Sequence, residues 1–281
     1  MEADFTLVPH GGLGNRIQAI CSVISYCKKH NKSLKIIWFK DHNLNCTVNK
    51  LMFINPILSN VQMVDANFFD LLLRDNPRRK NFWIPKLFQY FLFDKKLYIN
   101  DVAQVLSYQL KPDFGDLSKY KHIFMVNWGC IWRDSEMWKS IIIDPQIIIK
   151  VDEVMKSLNR KRRVGIHVRQ TDHWFAIQNS PIELFIKKIQ EEIDLYGNNV
   201  CFYLASDSLE VKNKIISLFG EKIITSKKKT SRNNKAGIIE AFIEMIVLSK
   251  TDKIYASYGS SFSETAHYLS DNEYETVRKN T

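Results

Sequence analysis

The stretch Val164-Gly165-Ile166-His167-Val168-Arg169-Gln170-Thr171-Asp172 decides how this chain is read. Val164-Gly165-Ile166 is short, apolar and β-prone, the mark of a buried strand. It ends by presenting an imidazole, a guanidinium and a carboxylate within six residues. Alternation along an extended chain puts His167 and Arg169 on one side of it. An arginine leaving a buried strand is costly unless it meets an anion, and its planar fork suits a diphosphate.

Outward from that stretch the pattern stays regular. A polar loop is expected to Ser180, where Pro181 opens a helix with Leu184, Phe185, Ile189 and Ile193 on its apolar face. Val200 to Ala205 reads as a strand ending in Ser206-Asp207, followed by a helix that stops at Gly220. Ile223-Ile224 reads as a short strand and 226–235 as a basic loop. Ile238, Ile239, Phe242, Ile243, Ile246 and Val247 predict a strongly amphipathic helix. Ile254-Tyr255-Ala256 predicts a strand leading to Gly259-Ser260-Ser261-Phe262-Ser263 and a last helix. Strands alternating with helices mean a parallel α/β sheet, with a ligand expected at the carboxyl ends of the strands.

The N-terminal end repeats the theme. Phe5 to Val8 reads as a strand, His10 to Arg16 as a glycine-rich turn, and Ile17, Ile20, Cys21, Ile24 and Cys27 recur at helical spacing before a strand at 34–38. The turn fails the dinucleotide fingerprint because Ile17 stands at the third glycine position, and it lacks the Gly-Lys-Ser/Thr ending of a P-loop. Gly12 and Gly14 let the backbone approach a ligand closely, with Asn15 and Arg16 beside it. Their alternative is a tight turn with a solvated arginine. Between about 40 and 150 the chain is rich in aromatics such as Phe68, Phe69, Trp83, Phe88 and Phe91, read as the core of an irregular helical region. Exposed members of that set offer a stacking surface for a sugar.

The chain has 281 residues, 45% of them hydrophobic, enough for two modest domains, set at 1–155 and 156–281. No apolar run approaches the roughly 18 residues of a membrane span. The acidic start Met1-Glu2-Ala3-Asp4 is expected not to be a signal peptide, and the five cysteines have no ligand-like spacing. Both fit a cytoplasmic protein with reduced thiols. Forty Lys and Arg against thirty Asp and Glu give a net charge of +10, which favours polyanionic partners, the anionic inner face of a membrane included.

Three motifs now stand in order: Gly12-Leu13-Gly14-Asn15-Arg16, His167-Val168-Arg169-x-Thr171-Asp172 and Ser261-Phe262-Ser263. Together they resemble the GDP-fucose-dependent fucosyltransferases. Pro181-Ile182-Glu183, Leu204-Ala205-Ser206-Asp207 and Leu248-Ser249-Lys250-Thr251-Asp252 resemble the branch of α-1,6- and nodulation fucosyltransferases. The resemblance implies a GT-B-like α/β fold of two Rossmann-like domains, with the nucleotide-sugar site mainly in the C-terminal one and the acceptor on the N-terminal side. It implies inverting transfer of L-fucose from GDP-β-L-fucose to a glycan hydroxyl, with no cofactor and no metal. The sequence agrees on the last point, since it contains no Asp-x-Asp clamp for a metal–diphosphate.

Arg169 is the candidate to neutralise the departing diphosphate, its alternative a buried ion pair, aided by Ser261 and Ser263 and by backbone N–H groups where the last helix begins, with Phe262 in the same donor-binding motif. By that matching, His167 and Glu244 stand near the guanine, although the family has an Asp at the position of Glu244. Asp207 holds either a strand-end loop or the nucleotide. Two departures stand out. Gln170 replaces a second arginine, and residues 173–180 lack the glutamate base of the α-1,6 branch. Asp172, His173 and Glu264 are the local candidates for a base, and late proton loss to a phosphate oxygen is another route. Bland alternatives stand beside these roles: a satisfied core histidine for His167, an Asx turn for Asp172, a helix cap for Ser261 and Ser263. Two rival functions are a transferase of the same fold using another GDP-sugar, and a non-catalytic nucleotide- or nucleic-acid-binding protein. Against nucleic acid, the basic residues form no single long stripe.

Overall fold

The computed structural model describes residues 3–107, 114–171, 174–228, 231 and 233–279. The chain divides into two compact units, Met1–Asp144 and Pro145–Thr281, ahead of the boundary expected at 155. The helix Pro145–Ser157 belongs to the second unit, where it packs on the helix Lys235–Ser249.

In the first unit the elements run β1 (Phe5–Pro9), α1 (Leu13–Lys29), β2 (Leu34–Trp38), β3 (Met52–Ile54), β4 (Val61–Asp65), α2 (Phe68–Leu73), α3 (Ile84–Leu92), β5 (Lys95–Leu97), α4 (Ile99–Ser107), β6 (Ile123–Asn127) and β7 (Ile141–Ile143). A five-stranded sheet has the order β4-β2-β1-β6-β5, all neighbours parallel, while β3 and β7 pair antiparallel. The middle region is therefore not merely an irregular helical core. It contributes β4, β5 and β6 to the sheet. Strand β6, Ile-Phe-Met-Val-Asn, is buried at every position, so it lacks the polar alternation that marks a half-exposed strand.

In the second unit α5 (Pro145–Ser157) is followed by β8 (Arg162–Val168), α6 (Trp174–Asn179), α7 (Ile182–Tyr196), β9 (Val200–Ser206), α8 (Leu209–Phe219), β10 (Ile223–Ile224), α9 (Lys235–Ser249), β11 (Lys253–Ser257), α10 (Ser261–Tyr268) and β12 (Glu273–Val277). Its sheet has the order β10-β9-β8-β11-β12, again all parallel. The chain winds from β8 outward through β9 to β10, then returns to β11 and leaves through β12. The carboxyl ends of β8 and β11 therefore form the switch point where parallel α/β sheets bind ligands.

Two expectations are corrected here. Helix α9 is buried almost all round rather than amphipathic, because α5 and α10 cover it from outside the sheet. It lies so close to β8 that a Cβ at Gly165 would stand 2.8 Å from both Leu248 Cδ2 and Thr251 Oγ1. The polar loop expected up to Ser180 contains α6, whose exposed Trp174 and Phe175 hid its helical spacing. Among the described residues, no helix is long and apolar enough to cross a membrane.

Candidate functional site

At the switch point of the second unit, β8 delivers His167 and Arg169, and β11 delivers the loop into α10. Ser257, the last residue of β11, is fully buried and its hydroxyl accepts the Arg169 backbone N–H at 3.0 Å. One residue further, the Gln170 N–H donates to Asp207 Oδ1 at 2.8 Å, and Thr171 Oγ1 donates to Asp207 Oδ2 at 2.6 Å. Asp207 thus clasps the loop leaving β8, the first of its two expected roles. The Gln170 side chain reaches Ser180 O at 3.4 Å. Asp172 and His173, two candidates for a base, lie outside the described residues.

His167 is buried between the sheet and α10. Its ring lies 4.9 Å from that of Phe262, and its Nδ1 is 3.1 Å from Ser263 Oγ. Ser263 Oγ in turn donates to Ser260 O at 3.3 Å, so its lone pair is free to accept from an Nδ1–H. Burial pushes the imidazole down to about 4, the charge of Arg169 adds to this, and Asp207 opposes it. His167 is therefore a neutral ring that joins β8 to the start of α10.

Helix α10 begins after Gly259, whose φ of +65° makes the reversal out of β11. Ser260 occupies the N-cap but its side chain caps nothing, and its buried Oγ has no hydrogen-bond partner among the described residues. The first backbone N–H groups of any helix lack internal partners and carry the positive end of the helix dipole. Ser261, Phe262 and Ser263 supply those groups here, just after β11, the strand paired with the one that leads to Arg169. Helix N-termini of this kind can bind a phosphate-like anion. Glu264 lies in the same first turn and accepts the Tyr268 hydroxyl at 3.0 Å. Sequence reasoning missed an aromatic pair next to the Gly259 turn, where Phe175 from α6 lies 6.2 Å from Tyr258. The spacing of Trp174 and Phe175 before Pro181 was the available signal.

Glu244, expected near the guanine, is buried on α9 and meets Lys212 Nζ at 2.8 Å, with both side chains under 5% exposed. Burial raises its carboxyl above the usual range against the pull of Lys212. The carboxylate is already spent on an internal cation.

The glycine turn belongs to the first unit and is shorter than its sequence implies. Helix α1 starts at Leu13, so Gly14, Asn15 and Arg16 lie in its first turn and only Gly11 and Gly12 bend the chain. Gly11 has φ +86°, and a Cβ on it would meet Asn15 Nδ2 at 2.8 Å. Gly12 faces open space, which leaves its backbone accessible. Arg16 points inward. It is 0% exposed, donates to Gly11 O at 2.9 Å, Phe39 O at 2.6 Å and Asp41 Oδ2 at 2.9 Å, and lies over the Trp38 ring. It is not the solvated arginine of a tight turn. It straps the turn to the exit of β2. None of the five cysteines is in a disulfide, and four are buried. Among the described residues, no group of three or more His, Cys, Asp or Glu side chains is disposed to hold a metal ion.

No protein-family model matches the sequence, and no curated protein matches it either. Among solved structures the chain is similar to NodZ alpha-1,6-fucosyltransferase co-crystallised with GDP. The TM-score is 0.66 at 18% identity, over 96% of this chain and 93% of that one. A second structure of fucosyltransferase NodZ, from Bradyrhizobium, gives 0.62 at 19% identity over 96% and 93%. POFUT1 in complex with GDP-fucose gives 0.58 at 11% identity over 98% of each chain. At such identities the likeness is one of fold, and it agrees with the resemblance read from the three motifs.

Proposed function

We propose that this chain is an inverting fucosyltransferase that moves L-fucose from GDP-β-L-fucose to a hydroxyl of a glycan, without a metal. On this reading the two units are the Rossmann-like domains of a GT-B arrangement. The second holds the nucleotide sugar and the first serves the acceptor. The observation that carries the reading is Arg169 at the exit of β8, next to the strand β11 that leads into the uncapped N-terminus of α10, in a fold shared with NodZ and POFUT1.

In the reaction, the acceptor oxygen bonds to the anomeric carbon as the bond from that carbon to the β-phosphate oxygen breaks. Negative charge grows on the departing GDP. Arg169 and the N–H groups of Ser261 to Ser263 meet that charge, the work that a metal does elsewhere. Asp207 and Ser257 hold the loop that aims Arg169, and neutral His167 keeps α10 in register with β8. The acceptor proton passes to Asp172, His173 or Glu264, or late to a phosphate oxygen.

Calorimetric titration with GDP-fucose and GDP-mannose in EDTA tests the reading. Binding of GDP-fucose in preference to GDP-mannose, followed by GDP release when glycan is added, supports it. Equal binding of both points to another GDP-sugar. No binding of either returns the chain to the non-catalytic alternative.

A further inference from the structure

Helix α3 is built inside out. Its inward face carries Pro85 and Gln89, and Gln89 Nε2 donates to the Asp75 carbonyl at 2.9 Å. Its apolar stripe, Ile84, Leu87, Phe88 and Phe91 at helical spacing, faces away from the core. Leu87 is 64% exposed and Phe91 78%. The neighbouring helix α2 repeats the pattern, with Asp70 buried and Phe68 and Phe69 about two-thirds exposed. Between them Phe82 and Trp83 both hold left-handed backbone, φ +50° and +55°, with exposed rings. Bulky residues rarely accept that conformation, so the chain carries strain where the rings are displayed. Scattered exposed apolar residues are ordinary, but here they crowd two helices that pack on each other.

The charges around the patch name its partner. Residues 67–96 hold seven Lys and Arg against three Asp. Asp70 and Asp75 are buried and paired with Arg74 and Arg78, and Asp94 accepts the backbone N–H groups of Lys121 and His122. That leaves Arg79, Lys80 and Lys86 exposed beside the aromatic rings. Aromatic and aliphatic side chains fringed by cations match the layers of an anionic bilayer, with acyl chains beneath a sheet of phosphates. A second copy of the same surface would set cation against cation.

We propose that α2 and α3 dock the protein on an anionic lipid surface, with α3 lying in the plane of the interface. The proposal is independent of the assigned reaction. It is tested by co-sedimentation of the full chain with vesicles of phosphatidylcholine alone and of phosphatidylcholine with phosphatidylglycerol. The protein is expected to bind the anionic vesicles and to leave the neutral ones. Leu87→Ser/Phe91→Ser alters only exposed positions, so the fold should persist by circular dichroism while vesicle binding falls by roughly tenfold or more. Lys80→Glu/Lys86→Glu is expected to weaken binding by about fivefold or more for each cation lost, and added salt to act in the same direction. No vesicle binding overturns the proposal, and so does binding that neither variant changes. A concentration-dependent dimer that Leu87→Ser/Phe91→Ser abolishes, without vesicle binding, assigns the patch to a second copy and also overturns it.

Discussion

Replacing Arg16 with methionine should destabilise the first unit while leaving nucleotide binding to the folded protein intact. Methionine keeps the packing against Trp38 and removes the guanidinium. Three acceptors then lose their donor: Gly11 O, Phe39 O and Asp41 Oδ2. The Phe39 bond is buried and its loss should cost about 2 kcal/mol, while the other two are partly buried and count for about 1 kcal/mol each. Asp41 keeps the backbone N–H groups of Asn43 and Leu44 at 2.8 and 3.1 Å, which softens its loss. The expected total is about 4 kcal/mol, a large share of the ~5–15 kcal/mol that folded domains possess. Adding Asp41→Asn should restore about 1 kcal/mol, because the stranded carboxylate charge is then gone. Urea unfolding followed by circular dichroism measures each variant, with GDP titrated beside it. A loss below about 1 kcal/mol, with GDP affinity lowered tenfold or more, would show that Arg16 faces the ligand after all.

His167 sets a pH dependence. Its folded value of about 4 lies below the usual 6.5, so its contribution to stability is complete above pH ~6.5 and is lost as pH falls toward 4. Wild type should lose about 3 kcal/mol more than His167→Asn across that window in urea melts, and parallel pH profiles would sink the argument. Lys212→Met strands the buried Glu244 carboxylate and should cost about 3–5 kcal/mol, whereas Lys212→Met/Glu244→Leu should recover most of it. Thermal melts of the two read this directly, and equal losses would mean that the pair is not coupled. Gly165→Ala drives a methyl into Thr251 Oγ1, which is fixed by its bond to Leu248 O at 2.7 Å, and should cost about 1–3 kcal/mol in the same melts. A neutral result there would mean that α9 can shift from β8.

The parts legible in the sequence are those where one local signal dominates. Strand β2 falls on the expected residues, and β8, β9 and β11 extend theirs by one or two at the ends. The motif residues His167 and Ser263 meet at the switch point because parallel winding brings the ends of β8 and β11 together. What the sequence hid was direction. The stripe of α3 is plain in its spacing, yet spacing does not say whether the stripe meets a core or the outside. Arg16 and Glu244 carry charges that favour the surface, and only their partners Asp41 and Lys212 explain their burial. Neither partner stands near its mate in sequence.

The most direct test of the central claim is GDP binding in EDTA by wild type, Arg169→Lys and Arg169→Ala. Wild type should bind without metal, lysine should bind more weakly because it keeps the charge and loses the fork, and alanine should lose tenfold or more in affinity. All three binding GDP alike would contradict the placement of the diphosphate between Arg169 and α10.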